Sequence, residues 1–438
     1  MNENQTELEP TPVLGEFDLI RVPEQSNIPP PLQLPPLWRN RDYMLLWSGQ
    51  VVSVIGTGAT QIVYPLLILA LTDSPQAAGF AAALGSVPYI LFSLPAGALV
   101  DRWDRKRVMI YCDIGRAAVL ASIPIAMLFN ALTIWQIYVC ALLEGSLFVF
   151  FNIAEVAALS RVVEKKQLPQ AAAQNDVAFS IANIIAPTLG AALFQIGKVA
   201  PFVFDVFSYL ASVVSLWFIR TEFQTERKKV ETHIVREIRE GMSWLWQQHL
   251  IRYMAFLTGA LNFVNVPVTL IIIVLAQNMG ATDAEIGLVF SISALGAIAG
   301  ALIGGQIQKK FRFGHVIITT VWLTALLFPL LAFAPTFWFL GIIMGLAWMT
   351  GPIYNVVQFS YRVALIPDAL QGRVNSVFRL LAFGFQPAGA AIAGVLIERY
   401  GVNVAIAFFT VWYVAWAIAT MVNRNVRGAR QIGQAQST

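Results

Sequence analysis

The chain has 438 residues, of which 57% are apolar and only 12% charged; soluble domains carry roughly 25% charged residues, so composition excludes a soluble globular protein. The formal net charge is +4, and there are two cysteines, Cys112 and Cys140. That number is too small for a disulfide scaffold, and neither belongs to a CxxC pair.

Residues 1–38 form a polar, Pro-rich leader (Pro29-Pro-Pro-Leu-Gln-Leu-Pro-Pro36) that is too poor in apolar residues to bury a core and is expected to be a disordered tail. No short apolar segment ends in a small-residue cleavage site, so no cleaved signal peptide is expected. A helix needs about 20 apolar residues to cross about 30 Å of hydrocarbon. Twelve such stretches follow the tail, at 43–71, 77–100, 107–129, 134–158, 171–197, 199–219, 253–278, 284–307, 314–333, 336–360, 374–397 and 402–423. Without water to satisfy backbone groups these stretches must be helices. The predicted fold is an all-α integral membrane protein with twelve transmembrane helices in two six-helix bundles, 39–220 and 253–423, followed by a tail over 424–438.

Between the bundles lies a linker, 221–252. Within it Val235, Ile238, Met242 and Leu245 recur at helical spacing, which predicts an amphipathic helix at the membrane interface with Trp244 and Trp246 as anchors. Of the 29 basic residues, Lys198 and Arg399 fall in connections on one side, and Arg116 and Arg379 lie inside spans. The rest are assigned to the other side, in the tails, the linker and the 2–3, 4–5, 8–9 and 10–11 connections. The positive-inside bias therefore predicts both termini in the cytoplasm. The basic balance reports topology rather than nucleic-acid binding.

The densest charge lies between spans 2 and 3. There Gly97-Ala-Leu-Val-Asp101-Arg102-Trp-Asp104-Arg105-Lys106-Arg107 places six charges in seven residues. Its counterpart between spans 8 and 9, Gly305-Gln-Ile-Gln-Lys309-Lys310-Phe-Arg312, keeps the glycine and the cations but has Lys309 where Asp101 stands. Spans 5 and 11 each carry proline shortly before glycine, Pro187-Thr-Leu-Gly190 and Pro387-Ala-Gly389. Two parallel repeats joined by a long loop describe a secondary transporter with its site between them.

The G-x-L-x-D-R-x-x-R-K-R spacing resembles the loop 2–3 signature of the major facilitator superfamily. Four further stretches are similar to its macrolide-type drug exporter and siderophore exporter branch: 39–50, Phe204-Asp205-Val-Phe-Ser-Tyr-Leu210, Glu237-Ile-Arg-Glu-Gly241 and Gly372-Arg373-Val-Asn-Ser376. Asp104 stands where the loop signature usually has glycine. Ala141, before Glu144-Gly145, stands where proton-coupled drug exporters carry arginine, and 186–191 matches the exporter signature of span 5 only in part. The resemblance implies that the 2–3 loop latches the two halves in one state, through Gly97, Asp101, Arg102, Arg105 and Arg107. A topology-setting basic turn is the alternative. Gly97 is expected to seat span 2 closely against a partner helix.

Ionisable groups inside spans are expensive and point to function. Asp113 and Arg116 lie at i, i+3 on span 3, close enough to pair. Glu144 stands at mid-depth in span 4 with no cation near it in sequence and is the first candidate for a proton-carrying group. Arg379, early in span 11, could balance Glu144 or bind an anionic cargo. Asp205 and Glu155 are expected to be interfacial. The resemblance implies that spans 1, 4, 7 and 10 line the cavity. This nominates Gln61 and Tyr64, which share a face with Thr57, together with Phe148, Asn262, Asn265, Tyr354, Asn355 and Gln358. Such a lining suits an amphipathic organic molecule; interhelical hydrogen bonding is the alternative for each polar group.

There is no G-x-x-x-x-G-K-[ST] and no His/Cys/carboxylate cluster with metal-ligand spacing, so neither intrinsic ATP hydrolysis, nor a metal, nor a cofactor is expected. An enzyme reading has no catalytic constellation behind it. The chain is expected to be a monomeric exporter of the cell membrane (the inner membrane in a Gram-negative host), moving a drug, macrolide or siderophore-like metabolite in exchange for H+. A lysophospholipid flippase or other dedicated metabolite carrier is the alternative. From another class, a transport-inactive sensor or scaffold would signal through the N-terminal tail.

Overall fold

The computed structural model describes residues 35–224, 234–367 and 370–429. Residues 1–34 of the expected N-terminal tail, 225–233 of the linker and 430–438 of the C-terminal tail lie outside the described residues. All described helices belong to one unit, Leu37–Thr438; of the separate unit Met1–Pro36, only Pro35 and Pro36 are described and neither is in a helix or strand.

The first half holds α1 (Arg41–Thr72), α2 (Pro75–Arg102), α3 (Arg105–Leu128), α4 (Ile134–Val162), α5 (Leu168–Ile196) and α6 (Ala200–Phe218). After α7 (Ile234–Gln247) come α8 (His249–Asn278), α9 (Asp283–Lys310), α10 (Phe313–Leu327), α11 (Phe337–Leu365), α12 (Gln371–Phe383), α13 (Gln386–Tyr400), α14 (Val402–Val422) and the short α15 (Arg424–Gly428). Among the described residues twelve stretches are long and apolar enough to cross a membrane, with α12 and α13 together forming the eleventh. An even number of crossings returns both ends to one side, termed here the terminal face.

Local chemistry sets the helix ends. Asn40, Ser74, Asp104 and Thr133 each accept a hydrogen bond from the backbone N–H three residues on, and Thr282 with Glu285 forms a capping box. Tight turns use Asp73, Asn130, Gly280 and Gly401, all at positive φ. Span 11, expected to be continuous, breaks at Gly384-Phe385 because Pro387 enters the first turn of α13 without an N–H to continue α12. Span 9 likewise narrows to a 3-10 turn at Phe328–Phe333, where Pro329 stands.

Within the first half, α1 packs on α5 and α6, α2 on α4, and α3 on α4 and α6; in the second, α11 packs on α9 and α10, and α8 on α12 and α13. Small residues make the close approaches. A Cβ at Gly190 would overlap Ala59 of α1, and one at Gly389 would overlap Phe263 of α8. The two proline–glycine motifs thus do the same job in each half. The halves meet along two seams, α2 with α13 and α5 with α9.

Helix α7 is fastened to the second half. Glu240 accepts from Arg236 at 2.9 Å and pairs with Arg373 of α12. A Cβ at Gly241 would come within 2.7 Å of the Arg373 carbonyl. Arg236 holds the Glu240 carboxyl below the usual carboxylate range by hydrogen bonding. Leu245 is fully buried and Trp246 exposed, its ring 6.1 Å from Phe256.

Candidate functional site

Three helices of the first half converge on one cation. Arg116, midway along α3, is 2% exposed. Asp113 lies one turn earlier on the same face, its Oδ1 3.8 Å from Arg116 Nη1. From α4 comes Glu144, whose Oε1 is 3.6 Å from Arg116 Nη2. From α6 comes Tyr209, whose fully buried ring lies under the guanidinium at 4.2 Å, while Phe148 of α4 sits at 5.4 Å on the same charge. Cation–π contacts of this kind favour keeping the guanidinium charged inside the bundle.

Hydrogen bonds close these groups into a ring. Arg116 Nη2 donates to Thr57 Oγ1 of α1 at 3.2 Å. Thr57 Oγ1 and Tyr209 Oη are 3.0 Å apart, and Tyr209 Oη donates to Glu144 Oε1 at 3.1 Å. Tyr209 has one proton and gives it to Glu144, so the Thr57 hydroxyl donates to Tyr209 while accepting from Arg116. The chain therefore runs in one direction, from guanidinium to carboxylate.

A third carboxylate borders this ring. Asp205, one turn before Tyr209 on α6, is fully buried. Its Oδ1 accepts from Ser208 Oγ at 2.9 Å, and its Oδ2 has no hydrogen-bond partner. Gly56 of α1 makes room for it: a Cβ there would overlap Asp205 and Ser208. Neither oxygen of Asp113 is hydrogen-bonded. The expectation that Asp205 is interfacial is not met, because α6 turns it toward α1 and α3 instead of toward an end of the bundle.

The expected cavity residues divide. Gln61, Asn265 and Asn355 are exposed, and Phe148 is 39% exposed. Tyr64 turns its ring onto Phe202 at 5.7 Å, with its hydroxyl buried and unbonded. Asn262 is used on the backbone of α12, donating to the Ala382 carbonyl at 2.9 Å. Tyr354 and Gln358 are buried in the second half, where Tyr354 Oη lies 2.8 Å from Thr258 Oγ1 of α8. Arg379 is exposed and does not reach Glu144. It donates across the seam to Tyr89 Oη of α2, whose ring is 5.1 Å from Phe383.

The 2–3 connection is a single tight turn. Arg102 ends α2, Arg105 begins α3, and Asp104 caps α3 by accepting from Arg107 N–H at 3.0 Å. Arg107 Nε lies 3.9 Å from Asp104 Oδ2, both side chains exposed, and Lys106 Nζ donates to the Ile219 carbonyl at the end of α6 at 2.7 Å. Asp101 is in the last turn of α2, and its side chain lies outside the described residues. Gly97 does not seat span 2 against a partner as expected: a Cβ there would meet open space, the close approaches of α2 lying nearer its start.

Those approaches form the seams on the face opposite the termini. Gln76 N–H donates to Glu398 Oε2 of α13 at 2.8 Å, and Ser74 Oγ donates to the same oxygen. A carboxylate of one half thus caps a helix N-terminus of the other, where the helix dipole favours negative charge. A Cβ at Gly79 would come within 2.7 Å of the Ala390 carbonyl. On the other seam Thr188 Oγ1 lies 2.6 Å from Ser291 Oγ, and Gly287 packs on the Pro187 carbonyl.

Comparison with known proteins shows the family. The transmembrane secretion effector family of the major facilitator superfamily matches residues 33–436. The chain is a member of that superfamily. Macrolide efflux protein A of Streptococcus pyogenes is 24% identical over 372 residues, covering 84% of this chain and 91% of the relative. The enterobactin exporter EntS of Citrobacter koseri is 24% identical over 361 residues, 80% of this chain and 84% of the relative. The crystal structure of the nucleoside transporter NupG superposes with a TM-score of 0.71 at 14% identity, over 87% of this chain and 98% of that one, a likeness of fold alone. The chain is therefore a multi-pass transport protein of the cell membrane and not an enzyme.

In this superfamily member two side chains to which the sequence pattern gave no role, Tyr209 and Arg362, each left a trace. Asp205, Ser208, Tyr209 and Ser212 recur at i, i+3, i+4 and i+7, a polar stripe on an otherwise apolar helix. Arg362 was assigned to the 10–11 connection. It lies in the last turn of α11 and is buried, continuing the face of Tyr354 and Gln358.

Proposed function

We propose that this chain is a secondary exporter that moves an amphipathic small molecule, drug-like or siderophore-like, by alternating exposure of a site between its halves, driven by inward proton flow. Both termini are then cytoplasmic and the cross-seam contacts of Glu398 lie at the outer face. Export is supported by the relatives, one named for macrolide efflux and one for enterobactin export.

The observation that carries proton coupling is the charge count around Arg116. Asp113 and Glu144 pair with one guanidinium and Asp205 lies within its electrostatic reach, with three of their oxygens lacking any hydrogen bond. Burying uncompensated charge costs several kcal/mol per ion even after relaxation, so the cluster calls for bound protons. Glu144 is the entry point, because among these three carboxylates it is the one joined to the hydroxyl chain. A proton on Glu144 weakens its hold on Arg116 and lets the guanidinium turn to Asp113, which shifts α4 against α3. Each proton moving down 100 mV supplies about 2.3 kcal/mol, enough for a modest concentration gradient.

The test is accumulation of a panel of labelled macrolides, dyes and siderophores in efflux-deficient cells expressing the chain, with and without a protonophore. Lower accumulation that the protonophore reverses, and that Glu144→Gln abolishes with membrane levels unchanged, is the expected result. Export unaffected by Glu144→Gln would remove the coupling assignment.

A further inference from the structure

The second half holds a set of donors with nothing to donate to. Gln358 and Arg362 lie four residues apart on α11 and share a face. Both are more than nine-tenths buried, and Gln358 Nε2 and Arg362 Nε have no hydrogen-bond partner. No carboxylate lies within ion-pair distance of Arg362 among the described residues. What it has instead is aromatic: the guanidinium sits 4.0 Å over Phe378 of α12 and 5.3 Å from Phe359. Arg379, the residue after Phe378, brings a second guanidinium within electrostatic reach of the first, and its described bond is to a neutral phenol, Tyr89 Oη.

A buried guanidinium without an anion leaves desolvation uncompensated, and cation–π contact recovers only part of that cost. Arginine offers donors only. The group that completes this surface is therefore an anionic acceptor, and the flanking rings suit an apolar body attached to it. The buried cation of the first half offers no such place, since Arg116 already faces Asp113 and Glu144.

We propose that Gln358, Arg362 and Arg379 bind the carboxylate or phosphate of an amphipathic solute, with Arg379 leaving Tyr89 for the anion as the site fills. Because the Arg379–Tyr89 bond crosses the seam between α2 and α12, occupation removes one of the contacts holding the halves together. The proposal rests on the exporter reading for its biological sense and names the chemical class of the cargo.

Binding to the full chain in phosphatidylcholine nanodiscs, without any gradient, tests it through two probes of one shape, pyrenebutyrate and pyrenebutanol. The expected result is at least ten-fold tighter binding of the acid, reduced to the affinity of the alcohol by Arg379→Gln and by Arg362→Gln. Arg379 is exposed, so its variant keeps the test open if the buried substitution fails to fold. Equal binding of the two probes to the unaltered protein, or a preference that survives Arg379→Gln, would overturn the assignment. So would loss of acid binding in phosphatidylglycerol nanodiscs, which would make a lipid headgroup the occupant. Selective binding of the acid together with no efflux from cells would leave this site standing and remove the exporter reading; efflux without acid preference would do the reverse.

Discussion

Tyr209 shows how much one buried side chain carries. Its ring holds the Arg116 charge and its hydroxyl joins Thr57 to Glu144. Tyr209→Phe keeps the first role and deletes the second. Hydrogen bonds to charged groups contribute about 1.5–3 kcal/mol, so gradient-driven efflux should fall about ten-fold or more and its pH profile should move, with the protein still present in the membrane. An unchanged pH profile would argue against the hydroxyl chain. At this scale the sequence was half legible. The spacing of Asp113 and Arg116 gave their pairing, since helix geometry alone brings i and i+3 together. Glu144 was visible as an intramembrane charge, but its cation was not, because Arg116 is 28 residues away in the chain and reaches it only through the packing of α3 on α4.

Among the elements, α7 has a contact that the sequence pattern did not show. Its periodicity suggests a helix at a lipid interface, and Gly241 and Glu240 also set it against the first turn of α12. Gly241→Ala should push a Cβ into the Arg373 backbone, a cost of about 1–3 kcal/mol for overpacking, and lower the melting temperature in detergent by a few degrees. No change would mean that α7 is held elsewhere. The Glu240 pair has a definite pH sign. Its carboxyl is held below the ordinary range of about 4.3, so the contact is complete above that value and fades only as the pH falls through the lowered one. Efflux measured between pH 5 and 8 should therefore keep its pH dependence in Glu240→Gln. A flattened profile in that variant would place the titrating group at the α7–α12 contact instead of around Arg116.

At the scale of the molecule, the two seams echo each other: Gly79 of α2 packs on α13, and Gly287 of α9 packs on α5. Both lie on the face away from the termini, where Glu398 caps α2. If the halves separate there during transport, cysteines at Ser74 and Glu398 joined by a short thiol cross-linker should stop efflux, and cleaving the linker should restore it. Cys112 and Cys140 are both buried and would not compete for the reagent. Transport that persists with the link in place would show that this seam need not open.

The sequence by itself determined that the chain crosses the membrane, how often, and that its halves repeat, because hydrocarbon thickness and backbone satisfaction impose a length and an apolarity that single-chain pattern reveals. It also nominated Arg379 as a candidate, though not its partner. Only the tertiary structure decided which charges meet. Asp205 entered the Arg116 cluster, Arg362 lay buried without an anion, and Gly97 met open space, since each depends on the rotation of one helix against another. In a uniformly apolar helix that rotation leaves only a faint periodic trace: lipid and protein interior are equally apolar, and hydropathy does not distinguish the face turned inward from the face turned out.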